Sequence, residues 1–362
     1  MKYVDEYRDG KVAKALSERI RTISRKPVRL MEICGTHTMA IFRHGIRSLL
    51  PSTVQLVSGP GCPVCVTATE EIDRSVKLSQ MNGVIVTTFG DMLRVPGSLS
   101  SLQEERARGA DVRMVYSTFD ALKIAAENKE NEVVFLGVGF ETTAPTVAAA
   151  IKTAHANKLP NFSVLSAHKL LPPAMNALLS GGELQIDGFI CPGHVTTIIG
   201  TSSYKAVTEA YHTPCVVMGF EPLDILQGIL MLVEQMERGK AEVEIQYRRG
   251  VSPEGNPGAL KIMEDIFEPC DAPWRGLGVI PGGGLDIRER YADMDARKRF
   301  DLSVPPAGEP RGCLCANILR GAATPVECKL FRKSCTPRTP IGPCMVSSEG
   351  TCAAYYKYHM DS

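Results

Sequence analysis

Residues 28–50 read VRLMEICGTHTMAIFRHGIRSLL. The apolar run Val28–Ile33 predicts a strand, Cys34–Thr38 a glycine-bearing turn, and Met39–Leu50 an amphipathic helix. This strand–loop–helix unit recurs down the chain. Further strands are expected at Val54–Ser58, Gly83–Thr88, Val112–Tyr116, Val133–Val138, Phe162–Ser166, Gly188–Ile190 and Cys215–Met218. Helices are expected at Thr69–Gln80, Phe119–Asn128, Thr142–Ala156, Pro173–Leu179, Tyr204–Tyr211 and Pro222–Arg238. Such alternation predicts an α/β protein with parallel sheets covered on both faces. Eight strands also suit one sheet or a barrel, but the polar stretch Ala126–Glu132 reads as a seam. Two α/β domains, 27–125 and 126–250, are therefore expected, with residues 1–26 helical and 251–362 forming a third, loop-rich domain.

The chain has 362 residues, 44% of them hydrophobic, which suits a folded soluble protein of two or three domains. No apolar run approaches the roughly 18 residues of a membrane span. The charged start MKYVDEYRDGKVAKAL lacks a signal-peptide core, so a cytoplasmic location is expected. In a reducing compartment, twelve cysteines point to metal or redox work. A net charge of +1 gives no footprint for nucleic acid. In the third region, Gly258–Phe267 reads as a helix. The run PGGGLD at Pro281–Asp286 reads as a tight turn, since it lacks the spacing of a nucleotide-binding loop.

Working residues in parallel sheets sit beyond the carboxyl ends of the strands. Those loops read CGTHT (34–38), GPGCPVC (59–65), FGD (89–91), GFETTAP (139–145), SAHK (166–169), CPGHV (191–195) and GFEP (219–222). Cys34, between a strand and a helix and beside His37, is expected to have a lowered pKa and to serve as thiolate nucleophile or soft metal ligand. Otherwise it is a buried, inert cysteine. Cys62 and Cys65 form a C-x-x-C at a helix start, the placement of a redox dithiol, although half a zinc site uses the same spacing. His194 and Glu141 are candidates for proton transfer or for orienting a ligand, or else a satisfied histidine and a helix-terminal charge.

The tail from Arg311 to Tyr358 holds Cys313, Cys315, Cys328, Cys335, Cys344 and Cys352 among glycines and prolines. Four such thiolates suit a [4Fe–4S] cluster or a structural zinc. Cys313 and Cys315 are too close to share one cluster comfortably. Spacing alone does not choose the four: Cys313, Cys328, Cys335 and Cys352 are one set, and Cys315 or Cys344 could enter another.

Taken together, CGTHT, GPGCPVC, GFETTAP, CPGHV and the tail pattern ending CMVSSEG.CAAYY resemble the HypD family of nickel–iron hydrogenase maturation proteins, over residues 34–356. The resemblance implies two α/β domains and a third carrying a [4Fe–4S] cluster held by Cys313, Cys328, Cys335 and Cys352. It implies Cys34 as ligand of a transient iron that acquires two cyanides and one carbon monoxide, and Cys62 with Cys65 as a redox dithiol. The implied partners are a small HypC-like chaperone, a HypE-like cyanide donor and, indirectly, the hydrogenase large subunit. On this reading the chain is an assembly scaffold more than a turnover catalyst. The rival expectations are a free-standing iron–sulfur disulfide reductase acting on a thioredoxin-like partner, and a zinc-stabilised binding module.

Overall fold

The structure, a computed structural model, describes residues 5–182 and 185–359. Nine strands alternate with helices: β1 (Val28–Glu32), β2 (Val54–Ser58), β3 (Val84–Thr88), β4 (Val112–Met114), β5 (Glu132–Gly137), β6 (Phe162–Ser166), β7 (Gly188–Pro192), β8 (Cys215–Met218) and β9 (Val243–Ile245). They form two sheets, ordered β2-β1-β7-β8-β9 and β4-β3-β5-β6. Every pairing in both is parallel. Strands β3, β6, β7 and β8 are buried at every residue, as strands covered by helices on both faces must be.

The seam expected at Ala126–Glu132 does not separate these sheets. The first takes two strands from before residue 60 and three from after residue 187, and the second is inserted whole between them. Its polar residues join the helix Thr118–Glu127 to β5 within the second sheet. Local polarity marked a surface connection, whereas the sheets are divided by the pairing of Leu30 with Gly188, which has no local signal.

The helix Gly10–Ile23 packs on Pro222–Glu237 and buries Ile20, with Arg8–Glu221 and Arg19–Glu234 ion pairs at 2.5 and 2.7 Å. It thereby covers the first sheet. Beyond the helix Pro257–Ile266, β10 (Phe267–Trp274) and β11 (Gly278–Ile287) form an antiparallel hairpin. Pro281–Asp286 therefore lies within a strand rather than in the expected tight turn, and the chain reverses between Trp274 and Gly278 instead. Its glycines admit close neighbours: a Cβ on Gly284 would lie 2.6 Å from that of Ala272 and 3.1 Å from the carbonyl oxygen of His168.

The cysteine-rich tail has short helices, Cys315–Leu319 and Thr351–Tyr358, and 3-10 turns at Pro325–Glu327 and Pro343–Met345. Thr351–Tyr358 packs on Gly35–Arg43, where the Phe42 and Tyr355 rings sit 4.4 Å apart. This contact lays the tail beside the Cys34 loop. No helix among the described residues is long and apolar enough to cross a membrane.

Candidate functional site

Four loops leave the carboxyl ends of adjacent strands β2, β1, β7 and β8, so the residues they carry become neighbours. Cys34 caps the helix Gly35–Arg43 in extended backbone conformation and is 2% exposed. The Gly35 amide donates to the Gly61 carbonyl at 2.9 Å. A Cβ on Gly61 would fall inside van der Waals contact with the Cys34 backbone, so only glycine lets the two loops approach this closely. His194, in the first turn of the helix Gly193–Ile199 that directly follows β7, brings its Nε2 to 4.0 Å from Cys34 Sγ. His37 turns away from Cys34 and bonds the Gly219 carbonyl through Nε2 at 2.9 Å. The Phe220 ring packs against both imidazoles, at 4.7 Å from His37 and 5.0 Å from His194.

Burial decides the protonation of this group. It pushes the Cys34 thiol up to about 12, against the backbone amide of His37, and the nearby Glu349 carboxylate adds to the rise. The lowering expected from the helix start is present but loses to desolvation. Burial also pulls His37 and His194 down to about 4, leaving both imidazoles neutral at neutral pH. Cys34 therefore becomes a thiolate when a cation takes the place of its proton.

Cys62 caps the helical turn Pro63–Val66, and its sulfur accepts from the Cys65 amide at 3.3 Å. The two sulfurs are 2.7 Å apart and buried. Cys65 faces the tail, 3.9 Å from the Pro343 carbonyl oxygen. Its thiol is raised well above the usual range, first by burial and then by Cys62, while Cys344 lies within hydrogen-bonding reach.

All six tail cysteines line one small cavity with Ile318, Phe331, Gly342 and Met345. Cys315 and Cys344 face each other with sulfurs 2.8 Å apart, and Cys344 also reaches Cys65 and Cys352. The sulfurs thus run in sequence from Cys62 and Cys65 through Cys344 and Cys315 into the cavity. Burial raises the Cys335 thiol, and the Ile341 amide, which points at its Sγ at 3.4 Å, opposes that rise without overcoming it. A Cβ on Gly342 would stand 2.9 Å from Cys313 Sγ. Among the described residues no three His, Cys, Asp or Glu side chains converge on one ion-sized point. A four-iron cluster asks instead for four thiolates around a shared cavity, one to each iron, and the chemistry of this lining fits that demand.

Glu141 stands apart from the cysteines. It follows β5 in the second sheet, where Oε1 accepts the Leu171 amide at 2.9 Å and burial pushes the carboxyl up to about 7. Three contributors were not singled out as site residues from the sequence, although the GFEP loop itself was. Glu349 accepts the Thr36 hydroxyl at 2.6 Å, tying the tail to the Cys34 loop, and no spacing pointed to it. The GFEP loop supplies Phe220 and the Gly219 carbonyl, while its Glu221 pairs with Arg8. The Cys315–Cys344 contact could have been suspected only as the remainder left by a chosen set of four.

A model of the HypD family, described as the hydrogenase formation hypA family, matches residues 11–359. The hydrogenase maturation factor HypD of Azotobacter vinelandii is 50% identical, over 99% of this chain and 97% of that protein. Hydrogenase maturation factor HypD2 of Bradyrhizobium diazoefficiens is 49% identical and that of Cupriavidus necator, HypD, 47%, each over 99% of this chain and 97% of the relative. With near-complete coverage in both directions and the cysteine loops assembled on one sheet, the chain belongs to the HypD family of hydrogenase maturation factors.

Proposed function

We propose that the chain is a redox-active cytoplasmic scaffold for the iron unit of nickel–iron hydrogenases. Its substrate is one iron held at Cys34 while two cyanides and one carbon monoxide are attached. A HypC-like chaperone supplies the second thiolate, a HypE-like protein supplies the cyanide, and the hydrogenase large subunit receives the product. One observation carries this reading: Cys34 lies beside His194 and against the loop of the Cys62–Cys65 pair, which itself touches Cys344 of the tail. Soft thiolate suits iron bearing strong-field diatomic ligands, and neutral His194 offers a nearby base or hydrogen-bond partner.

Cys313, Cys328, Cys335 and Cys352 would hold a [4Fe–4S] cluster, which when bound supplies electrons one at a time. Taking those four leaves Cys315 and Cys344, the pair in mutual contact, as a second dithiol. The Cys344 thiolate attacks Cys65 of a Cys62–Cys65 disulfide and releases Cys62 as thiolate. Cys315 then attacks Cys344 and releases Cys65. The inner pair is oxidised to a disulfide, the outer pair is reduced to two thiols, and no outside reagent is consumed.

Infrared spectroscopy of the anaerobic complex with the HypC-like partner tests the scaffold. Bands of iron-bound cyanide and carbon monoxide are expected in the native complex and absent with Cys34→Ala, while partner binding persists. Unchanged bands in the variant would place the iron elsewhere.

A further inference from the structure

Of the chain's 41 basic and 40 acidic residues, seven basic and only two acidic fall between Arg311 and Tyr358. Both acids are committed, Glu327 to the Thr324 amide and hydroxyl at 2.6 and 2.7 Å and Glu349 to Thr36. Arg311, Lys329, Lys333 and Arg338 are exposed, and their side chains have no ion pair or hydrogen bond among the described residues. They stand on segments that hold one another. A Cβ on Gly312 would touch Leu330 at 3.8 Å, the Cys335 amide donates to the Leu330 carbonyl at 2.9 Å, and the Thr339 hydroxyl donates to the Ser334 carbonyl at 3.1 Å. The same segments carry Cys313, Cys328 and Cys335, so the cations stand on the outer side of the cysteine cavity. Val326 and Tyr356, both exposed, add a small apolar spot, with the Tyr356 ring 6.2 Å from that of Phe331 in the cavity wall.

We propose that this face docks a small acidic protein that carries one electron, of the iron–sulfur or flavin type. This docking rests on the scaffold reading, in which thiol exchange leaves the Cys315–Cys344 pair oxidised and in need of two electrons. Every tail sulfur except that of Cys313 is buried, so a dissolved reductant meets them poorly, whereas a carrier on this face stands over their cavity. Two dockings deliver two electrons, which with two protons part the Cys315–Cys344 sulfur–sulfur bond into two thiols and leave two carriers oxidised. Unpaired cations around a small apolar spot suit such a partner, because opposite charge steers the encounter and a modest contact area permits quick release. A nucleic acid would also be drawn to four cations, but it has no electrons to give to the cavity beneath.

Calorimetric titration of the full-length protein, purified anaerobically, with an acidic two-iron ferredoxin and an acidic flavodoxin tests it. At least one carrier is expected to bind, about tenfold or more weaker at about 0.5 M than at about 0.05 M salt as screening shortens the reach of the charges. Reversing the four cations together, as Arg311→Glu, Lys329→Glu, Lys333→Glu and Arg338→Glu, should weaken binding about tenfold or more. Lys11→Glu, Lys14→Glu, Lys129→Glu and Lys205→Glu, all exposed elsewhere, change the net charge equally and should weaken it about twofold at most. The salt series uses native protein and stands even where the reversal disturbs the fold. Salt-independent binding, or equal loss in the two variants, would overturn the docking face. So would a short DNA duplex that binds as tightly as the carriers or more tightly, which would mark a polyanion site instead. Native protein that shows the tail's visible absorbance yet binds neither carrier would overturn the face alone, whereas native protein without that absorbance fails the cluster reading.

Discussion

Cys344 stands 2.8 Å from Cys315 and within hydrogen-bonding reach of Cys65, so one side chain connects two thiol pairs that are 250 residues apart in the chain. Every sulfur of this series is buried or nearly so. Solvent thiols reach such pairs poorly, and exchange must pass between neighbours inside the protein.

Cys344→Ser should therefore cut the connection while sparing both ends. Thiol trapping after chemical reduction of the tail is expected to show Cys62 and Cys65 following in the native protein and staying oxidised in the variant. Visible absorbance from the tail should remain within about a tenth of native, because Cys344 is outside the proposed four ligands. Equal reduction of Cys62 and Cys65 in both proteins would remove Cys344 from the path.

The ligand set has its own separate test. Cys328→Ala or Cys335→Ala should abolish the broad visible absorbance along with bound iron and sulfide, since each deletes one of four thiolates. Cys315→Ala should keep all three signals. Loss with Cys315→Ala and retention with Cys313→Ala would exchange those two assignments.

The first sheet's loops depend on one glycine. Gly61→Ala forces a methyl into the Cys34 backbone, where no flexible side chain can yield. Overpacking against backbone costs about 3 kcal/mol or more, so a Tm lowered by several degrees and loss of partner binding are expected. Gly83→Ala has open space around its Cβ but a φ of +75°, and should cost about 1 kcal/mol through backbone strain alone. Similar Tm values for the two variants would deny the close approach at Gly61.

These contrasts also mark what the residues alone disclosed. Phe162–Ser166 and Cys215–Met218, buried on both faces, and Val54–Ser58, an edge strand that alternates buried Val54 and Leu56 with exposed Gln55, coincide with the strands found because their apolar residues recur at strand spacing. The stretch Met39–Leu50 became two helices because Gly45, at φ +62°, ends one and starts the other. Position at strand ends was legible for Cys34, Cys62 and His194. Their common sheet was not, since β7 joins β1 only after the whole second sheet has been inserted. The same gap put Glu141 on a shortlist with cysteines it does not touch. Depth was equally invisible: the helix start at Cys34 could be read, but the burial that reverses its effect on the thiol could not.

Glu141 makes a last prediction, in pH dependence. Burial raises its pKa from an ordinary 4.5 to about 7, so between those values the folded protein holds a proton that the unfolded chain has released. Stability from this group is thus full below pH 4.5 and declines as pH rises towards 7, by at most about 3 kcal/mol at roughly 1.4 kcal/mol per pH unit. The buried histidines act in the opposite sense. With His37 and His194 held near 4 and His168 near 3, the unfolded chain binds more protons below 6.5, and stability rises with pH up to that value. The two trends offset each other in the native protein, so the difference between Glu141→Gln and native isolates the carboxyl. Relative to native, the variant should gain stability steadily from pH 4.5 to 7 in urea unfolding and hold a constant offset above that. A difference that does not change across the window would mean that Glu141 is ionised in the folded protein throughout.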